Sequence, residues 1–195
     1  MKKLIMIHGW GGSGKGGWFD WLREEVEKRG WNVESPDMPN TTSPKISEWV
    51  EHLKKVAEGV RVEEDTFFIG HSIGCQTILR YLEKLPEKTK IGGVILVAPW
   101  MHLDENTIKE DGEEVVEIAK PWMETPINFK KIKQHTDSFF AIFSDNDPYV
   151  PLSDADLFKE ELSARTVVLE NQEHFCENSE FPVLLESLLK MAKEK

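Results

Sequence analysis

The chain has 195 residues, enough for one domain with a full hydrophobic core. Its hydrophobic share is 39%, its charged share is 30%, and its formal net charge is -11 at pH 7. This acidic balance argues against nucleic acid and against an anionic membrane surface as partners, because both require a positively charged face on the protein.

The sequence also argues against a targeting segment and against a zinc-binding or disulfide role for its cysteines. No apolar run approaches the roughly 20 residues of a membrane span, and the four apolar residues before His8 are too few for a secretory signal. Cys75 and Cys176 match neither a zinc-binding spacing nor a disulfide framework. We therefore predict a cytoplasmic protein whose thiols are reduced.

Short apolar runs, separated by helical patterns, organise the chain. Runs of this kind are typical of buried parallel strands. They lie at residues 4–7, 67–69, 94–97, 139–143 and 166–169, with a weaker candidate at 31–35. The alternation predicts an α/β fold with about six mostly parallel strands and helices on both faces.

Capping residues predict where several helices begin. A first helical pattern starts at Trp18 and ends at Gly30, and another runs over residues 75–85. The predicted starts of the remaining helices are Ser43 with Pro44, Ser153, and Asn178 or Ser179.

The segment between residues 97 and 139 interrupts this alternation. It contains an acidic helical stretch near residues 107–120 and three prolines. Connections of this length are usually functional or disordered. We expect residues 100–137 to form a small cap beside the site, within a single domain that spans residues 1–195.

Residues 70–74 (GHSIG) form a G-x-S-x-G motif between an apolar run and a helical stretch. In that context the motif is a nucleophile elbow, a sharp turn that lifts its serine above the sheet. Small residues on either side let the strand and the helix pack closely. Ser72 is the candidate nucleophile, the N–H of Ile73 is a candidate oxyanion donor, and His71 is a candidate pocket wall.

Residues 8–12 (HGWGG) follow the first predicted strand. The N–H of Trp10 is a candidate second oxyanion donor, and His8 is expected to brace the loop. A P-loop is the alternative, since residues 9–16 nearly match G-x-x-x-x-G-K-[ST]. Gly16 stands where the Mg²⁺-binding hydroxyl belongs, which disfavours nucleotide binding.

Two further strand ends supply an acid and a base. Residues 144–148 (SDNDP) contain Asp145 and Asp147, either of which could hold an imidazole, and spacing alone does not choose between them. His174 follows the last predicted strand. Ligands bind at the carboxyl ends of parallel strands, so these groups should meet Ser72. The order Ser, Asp, His is that of α/β-hydrolases.

With these motifs the chain resembles the small single-domain serine hydrolases of the α/β-hydrolase superfamily, grouped with the retinoblastoma-binding-protein hydrolase and its YdeN-type relatives. The resemblance implies a compact sheet without the first two strands of larger members. It also implies Ser72 as nucleophile, Asp147 as acid and His174 as base. Glu173 departs from the family, where glycine is frequent. The Leu-x-Cys-x-Glu peptide is absent, so we expect no retinoblastoma-type partner.

The expected activity is hydrolysis of an ester or a related acyl bond in a small molecule, through a covalent acyl-enzyme. It needs no metal and no cofactor. Trp10, Trp100 and Trp122 are candidate pocket walls, with core packing equally plausible for Trp122. The alternative from another class is a non-catalytic binding protein on a hydrolase fold, because fold alone does not imply function.

Overall fold

Parallel strands form the centre of the fold within residues 1–193, the part of the chain that this computed structural model describes, the side chain of Glu105 excepted. Six strands occur in that part: β1 (Lys3–Ile7), β2 (Asn32–Glu34), β3 (Thr66–His71), β4 (Gly93–Val97), β5 (Phe139–Ser144) and β6 (Arg165–Leu169). They form one sheet in the order β2-β1-β3-β4-β5-β6, and all neighbours are parallel. The predicted α/β-hydrolase sheet is confirmed.

Helices cover both faces of this sheet. Their bounds within the same residues are α1 (Gly17–Glu27), α2 (Ile46–Val60), α3 (Ile73–Leu82), α4 (Glu105–Glu110), α5 (Glu113–Glu124), α6 (Phe129–Ile132), α7 (Ser153–Leu162) and α8 (Pro182–Lys193). Over residues 1–193, none of them is both long and apolar enough to cross a membrane.

Burial follows position in the sheet. Every residue of the central strands β3 and β4 is buried, because helices cover both of their faces. The edge strand β2 is short and mostly exposed, which explains its weak sequence signal. The central strands thus give a rigid base, and their carboxyl ends carry the polar loops.

The start of α2 differs from the prediction. Ser43 and Pro44 do not open this helix, which begins at Ile46 after an extended Lys45. Carbonyl groups in residues 39–44 instead accept indole N–H groups from elsewhere in the fold. These bonds run from Trp10 to Thr42 (3.1 Å), from Trp49 to Pro39 (2.7 Å) and from Trp122 to Pro44 (3.0 Å).

Two other predicted caps are also wrong. Ser153 is the first residue of α7 rather than its cap. Asn178 and Ser179 precede α8, which begins at Pro182. The carbonyl of Asn178 accepts the main-chain N–H of Trp18 at 2.9 Å, so this residue satisfies a first-turn amide of α1 and does not cap α8.

The segment at residues 100–137 divides into two parts. Its acidic stretch forms two helices, α4 and α5, separated at Gly112, whose φ of 121° breaks the helical path. The beginning of the segment lies beside a cavity described below. Its later part contributes Trp122 and Ile132 to the hydrophobic core.

Candidate active site

Ser72 occupies the turn between β3 and α3. Its backbone has φ 52° and ψ −123°, a strained conformation for a residue with a side chain. Gly70 and Gly74 permit the turn. A Cβ at Gly70 would lie 2.6 Å from the N atom of Cys75, and one at Gly74 would lie 2.3 Å from the carbonyl oxygen of Ile7. Glycine is therefore required at both positions, because the strand and the helix pack closely there.

Ser72 is nearly buried, with 7% of the residue exposed, and its hydroxyl faces an indole. The Nε1–H group of Trp100 donates to Ser72 Oγ at 3.3 Å. Among the residues that the structure describes, no hydrogen bond joins this Oγ to His174. Catalytic hydrogen bonds are often long in empty sites and shorten when substrate binds.

Two backbone N–H groups next to Ser72 are available to a ligand. Within residues 1–193, neither the N–H of Trp10 nor that of Ile73 has a hydrogen-bond acceptor. Gly9 brings the first loop against the elbow, since a Cβ there would lie 3.3 Å from Ser72 Cβ. His8 braces this loop as expected: its Nδ1 donates to the Gly9 carbonyl at 2.7 Å, and its Nε2 accepts from Met38 N.

His174 and Asp147 form a direct pair. The Nδ1–H of His174 donates to Asp147 Oδ2 at 2.8 Å, and the Asp147 side chain is 2% exposed. The other oxygen of Asp147 accepts the N–H groups of Tyr149 (2.9 Å) and Val150 (3.1 Å). Both carboxylate oxygens are therefore fixed, and so is the orientation of the imidazole.

Asp145 has a different part in the same assembly. Three successive amides of the histidine loop, residues 171–173, donate to side chains of residues 144–146. The bonds run from Asn171 to Asp145 Oδ1 (2.8 Å), from Gln172 to Ser144 Oγ (3.0 Å) and from Glu173 to Asn146 Oδ1 (2.8 Å). We call this set the loop ladder. It accounts physically for the division of work between the two aspartates.

The histidine loop also carries backbone strain on both sides of His174. Asn171, Glu173 and Phe175 have φ values of 54°, 47° and 60°. This left-handed region favours glycine. Glu173 thus takes the conformation that the family's frequent glycine would take, and His174 reaches Asp147 despite that departure.

His71, the predicted pocket wall, lines the cavity and supports the histidine loop. Its Nε2–H donates to the carbonyl of His174 at 2.8 Å. Burial, with the nearby His174, lowers the pKa of His71 to about 3. The ring is therefore neutral, with Nδ1 unprotonated.

A cavity of about 780 Å³ opens over Ser72 and His174. Trp10 and Trp100 line it, as predicted, whereas Trp122 does not. Trp122 is fully buried and packs edge-on against Trp49 with ring centroids 6.1 Å apart. The segment at residues 100–137 contributes part of the wall, through Leu103, Ile108, Asp111 and Val115.

Comparison with known proteins identifies the family of the chain. A family model described as "Serine hydrolase" matches residues 4–191. The chain belongs to the serine hydrolase family. It is 26% identical to the hydrolase YdeN of Bacillus subtilis over 183 residues, which cover 94% of this chain and 90% of that protein. It is 25% identical to the serine hydrolase RBBP9 of Rattus norvegicus over 186 residues, covering 94% and 91%.

A solved structure supports the fold of this serine hydrolase. The crystal structure of the ydeN gene product from B. subtilis superimposes with a TM-score of 0.87 at 24% identity. The match covers 100% of each chain. Similarity at this level of identity establishes the architecture.

The P-loop alternative finds no support in the glycine-rich loop of this serine hydrolase. Phosphate binding there requires free amides, but neighbouring protein groups accept them. The bonds run from Gly14 to Asp37 (2.8 Å), from Lys15 to Ser13 Oγ (3.2 Å), from Gly16 to Asp20 (2.7 Å) and from Trp18 to the Asn178 carbonyl (2.9 Å). Two of these acceptors are carboxylates, which would repel a phosphate.

The remaining candidate groups do not form a second centre. No cluster of three or more metal-ligating side chains occurs in the described part of the chain. Cys75 is fully buried, and burial raises the pKa of its thiol, which makes it a poor nucleophile. The main features that sequence reasoning missed are Ser144 and Asn146 in the loop ladder; the polar run SDNDP at a strand end was the available signal.

Proposed function

We propose that this serine hydrolase cleaves an ester or a related acyl bond of a small molecule, with Ser72, His174 and Asp147 as nucleophile, base and acid. One observation carries the proposal. His174, which is hydrogen-bonded to Asp147 at 2.8 Å, lines the same cavity as Ser72, and Ser72 has a φ of 52° on a nucleophile elbow. Strain of this kind is characteristic of functional sites.

Asp147 prepares His174 for proton transfer. Because Nδ1 of the imidazole donates to the carboxylate, the neutral ring has its lone pair on Nε2, which is the tautomer that a general base requires. The carboxylate also stabilises the imidazolium once the base has taken a proton. Its own position is held by the N–H groups of Tyr149 and Val150.

The reaction then proceeds in two steps. Ser72 Oγ attacks the acyl carbon and gives its proton to His174, which passes that proton to the leaving alcohol as the ester bond breaks. Water next attacks the acyl carbon, loses a proton to His174, and displaces Oγ, which recovers its hydrogen. The N–H groups of Trp10 and Ile73 are the proposed oxyanion donors, and the N-terminal dipole of α3 adds favourable potential.

The cavity lining supports an apolar or aromatic acyl group. Aromatic rings and aliphatic side chains form most of its wall, including Trp10, Phe19 and Ile108. Among the described residues that line the cavity, the only basic side chain of the lysine or arginine type is Lys15, and the only acidic one is Asp111. A neutral ester can enter such a site without leaving a buried charge unpaired.

A fluorophosphonate probe tests the activated serine. Purified wild-type protein should be labelled at Ser72 and should hydrolyse p-nitrophenyl esters of short acids. Ser72→Ala should lose both activities, whereas Ser179→Ala, at an exposed serine before α8, should keep them. A folded wild-type protein that neither reacts with the probe nor turns over any ester in the series would refute the proposal and favour a binding protein on a hydrolase fold.

A further inference from the structure

Trp100 contacts the atom that the proposed mechanism uses as nucleophile. Its indole N–H donates to Ser72 Oγ at 3.3 Å, and the residue is 1% exposed. We propose that Trp100 is a catalytic residue, whose N–H stabilises negative charge on Oγ when this oxygen leaves the acyl carbon during deacylation. This inference rests on the proposed function, because it requires an acyl-enzyme at Ser72.

A buried polar chain holds the backbone of Trp100. Its carbonyl accepts the side-chain N–H of Gln76 at 3.0 Å, and Gln76 Oε1 accepts Arg80 Nη2 at 2.9 Å. The same Arg80 nitrogen donates to the carbonyls of Trp122 (3.0 Å) and Thr125 (2.7 Å). Helix α3, which begins at the nucleophile, therefore also fixes the residue that faces it.

The residues after Trp100 are anchored as well. The carboxylate of Asp154, 1% exposed, accepts the N–H of Met101 at 2.6 Å and that of His102 at 2.9 Å. On the other side, Ala98 has a φ of 46°, so the chain turns sharply as it leaves β4. The backbone around Trp100 is therefore held from both sides and its ring is buried, and a donor that need not reorient is most effective in such a site.

The effect of the N–H differs between the two chemical steps. Before acylation, Oγ is a hydroxyl that already accepts the indole N–H, so this hydrogen bond stabilises the starting state as well as the transition state. Before deacylation, Oγ is the ester oxygen of the acyl-enzyme, which is a weaker acceptor. The hydrogen bond then strengthens as the bond between carbon and Oγ breaks and Oγ retains the electron pair until His174 returns a proton. The indole N–H therefore lowers the barrier to deacylation more than the barrier to acylation.

Trp100→Phe removes the N–H and keeps an aromatic ring in the wall. Trp49→Phe is the matched control, since Trp49 is equally buried but lies outside the cavity lining, and its indole N–H donates to the Pro39 carbonyl. Stopped-flow measurement with a p-nitrophenyl ester separates acylation, seen as a burst, from steady-state deacylation. Mass spectrometry of the quenched reaction measures the acyl-enzyme directly.

Trp100→Phe should slow deacylation about tenfold, the scale of one lost hydrogen bond to a charged oxygen, and should slow acylation by a smaller factor. Acyl-enzyme should accumulate in this variant and not in Trp49→Phe. If Trp100→Phe does not fold, benzothienylalanine at position 100 replaces the N–H by sulfur within the same ring system. An unchanged ratio of the two rates in a folded variant would overturn the inference. If the wild type also fails to react with the phosphonate, the proposed function is what has failed.

Discussion

Replacing His71 by glutamine removes a titratable group that the folded protein keeps neutral. His71 is 7% exposed and donates from Nε2 to the His174 carbonyl at 2.8 Å. Burial is the main cause that lowers its pKa to about 3, from an ordinary value of 6.5. Glutamine offers an N–H at a similar distance along the side chain and cannot take up a proton.

The sign and size of the effect follow from proton linkage. The unfolded chain binds a proton at His71 below about pH 6.5, whereas the folded protein does so only below about pH 3. Above about pH 6.5 the neutral His71 therefore costs the folded protein no stability. As the pH falls from 6.5 towards 3, protonation of the unfolded chain lowers the free energy of unfolding. At about pH 4.5 the loss covers nearly two pH units, or about 2.5 kcal/mol at 1.36 kcal/mol per unit.

Urea titrations of both proteins at about pH 7 and pH 4.5 measure this difference. The free energy of unfolding of the wild type should fall by about 2.5 kcal/mol more than that of His71→Gln. Carboxylates and His8, whose pKa burial also lowers, are present in both proteins, so their effects cancel in the comparison. Equal losses in the two proteins would refute the assignment of a buried neutral imidazole to position 71.

Four further substitutions test the site and its supports. Asp147→Asn should lower kcat for an ester about 10⁴-fold by favouring the wrong imidazole tautomer, whereas Asp145→Asn retains an amide-accepting oxygen and should stay within about tenfold; similar losses would contradict the division between them. Glu173→Gly relieves the strain of a φ of 47°. It should leave kcat unchanged and raise the free energy of unfolding by up to about 1 kcal/mol. A lower free energy of unfolding would show that Glu173 is not strained. Gly74→Ala places a Cβ 2.3 Å from the Ile7 carbonyl oxygen, so urea titration should show a loss of about 3 kcal/mol or more, and wild-type stability would contradict the packing.

The strands could be predicted well because their signal is local. β3 and β4 are covered on both faces, so continuous apolar runs, residues 67–69 and 94–97, occupy most of their length. The helix starts could not be predicted equally well. Ser43 has the residue type of a cap, but it lies in a turn in which its main-chain N–H donates to the Asn40 carbonyl, and carbonyls of the surrounding residues 39–44 accept indole N–H groups. Capping rules contain no information about such contacts.

The candidate site divides in the same way. The order Ser, Asp, His and the polar strand ends predicted one site around Ser72 and His174, whereas the choice of Asp147 over Asp145 was implied only by the family resemblance. The loop ladder could not be read from residues 171–173, because it uses main-chain amides that every residue except proline possesses. The contact from Trp100 to Ser72 was also hidden, since it depends on which way one buried ring faces.

The loop ladder makes the two loops unequal in their tolerance of sequence change. Residues 144–146 contribute side-chain oxygens, so most replacements there would remove an acceptor from the loop that carries His174. The exposed side chains of Asn171 and Glu173 make none of these bonds, and only their left-handed backbone restricts the choice of residue. The side chains at positions 171 and 173 can therefore change while residues 144–146 preserve the orientation of the His174 imidazole.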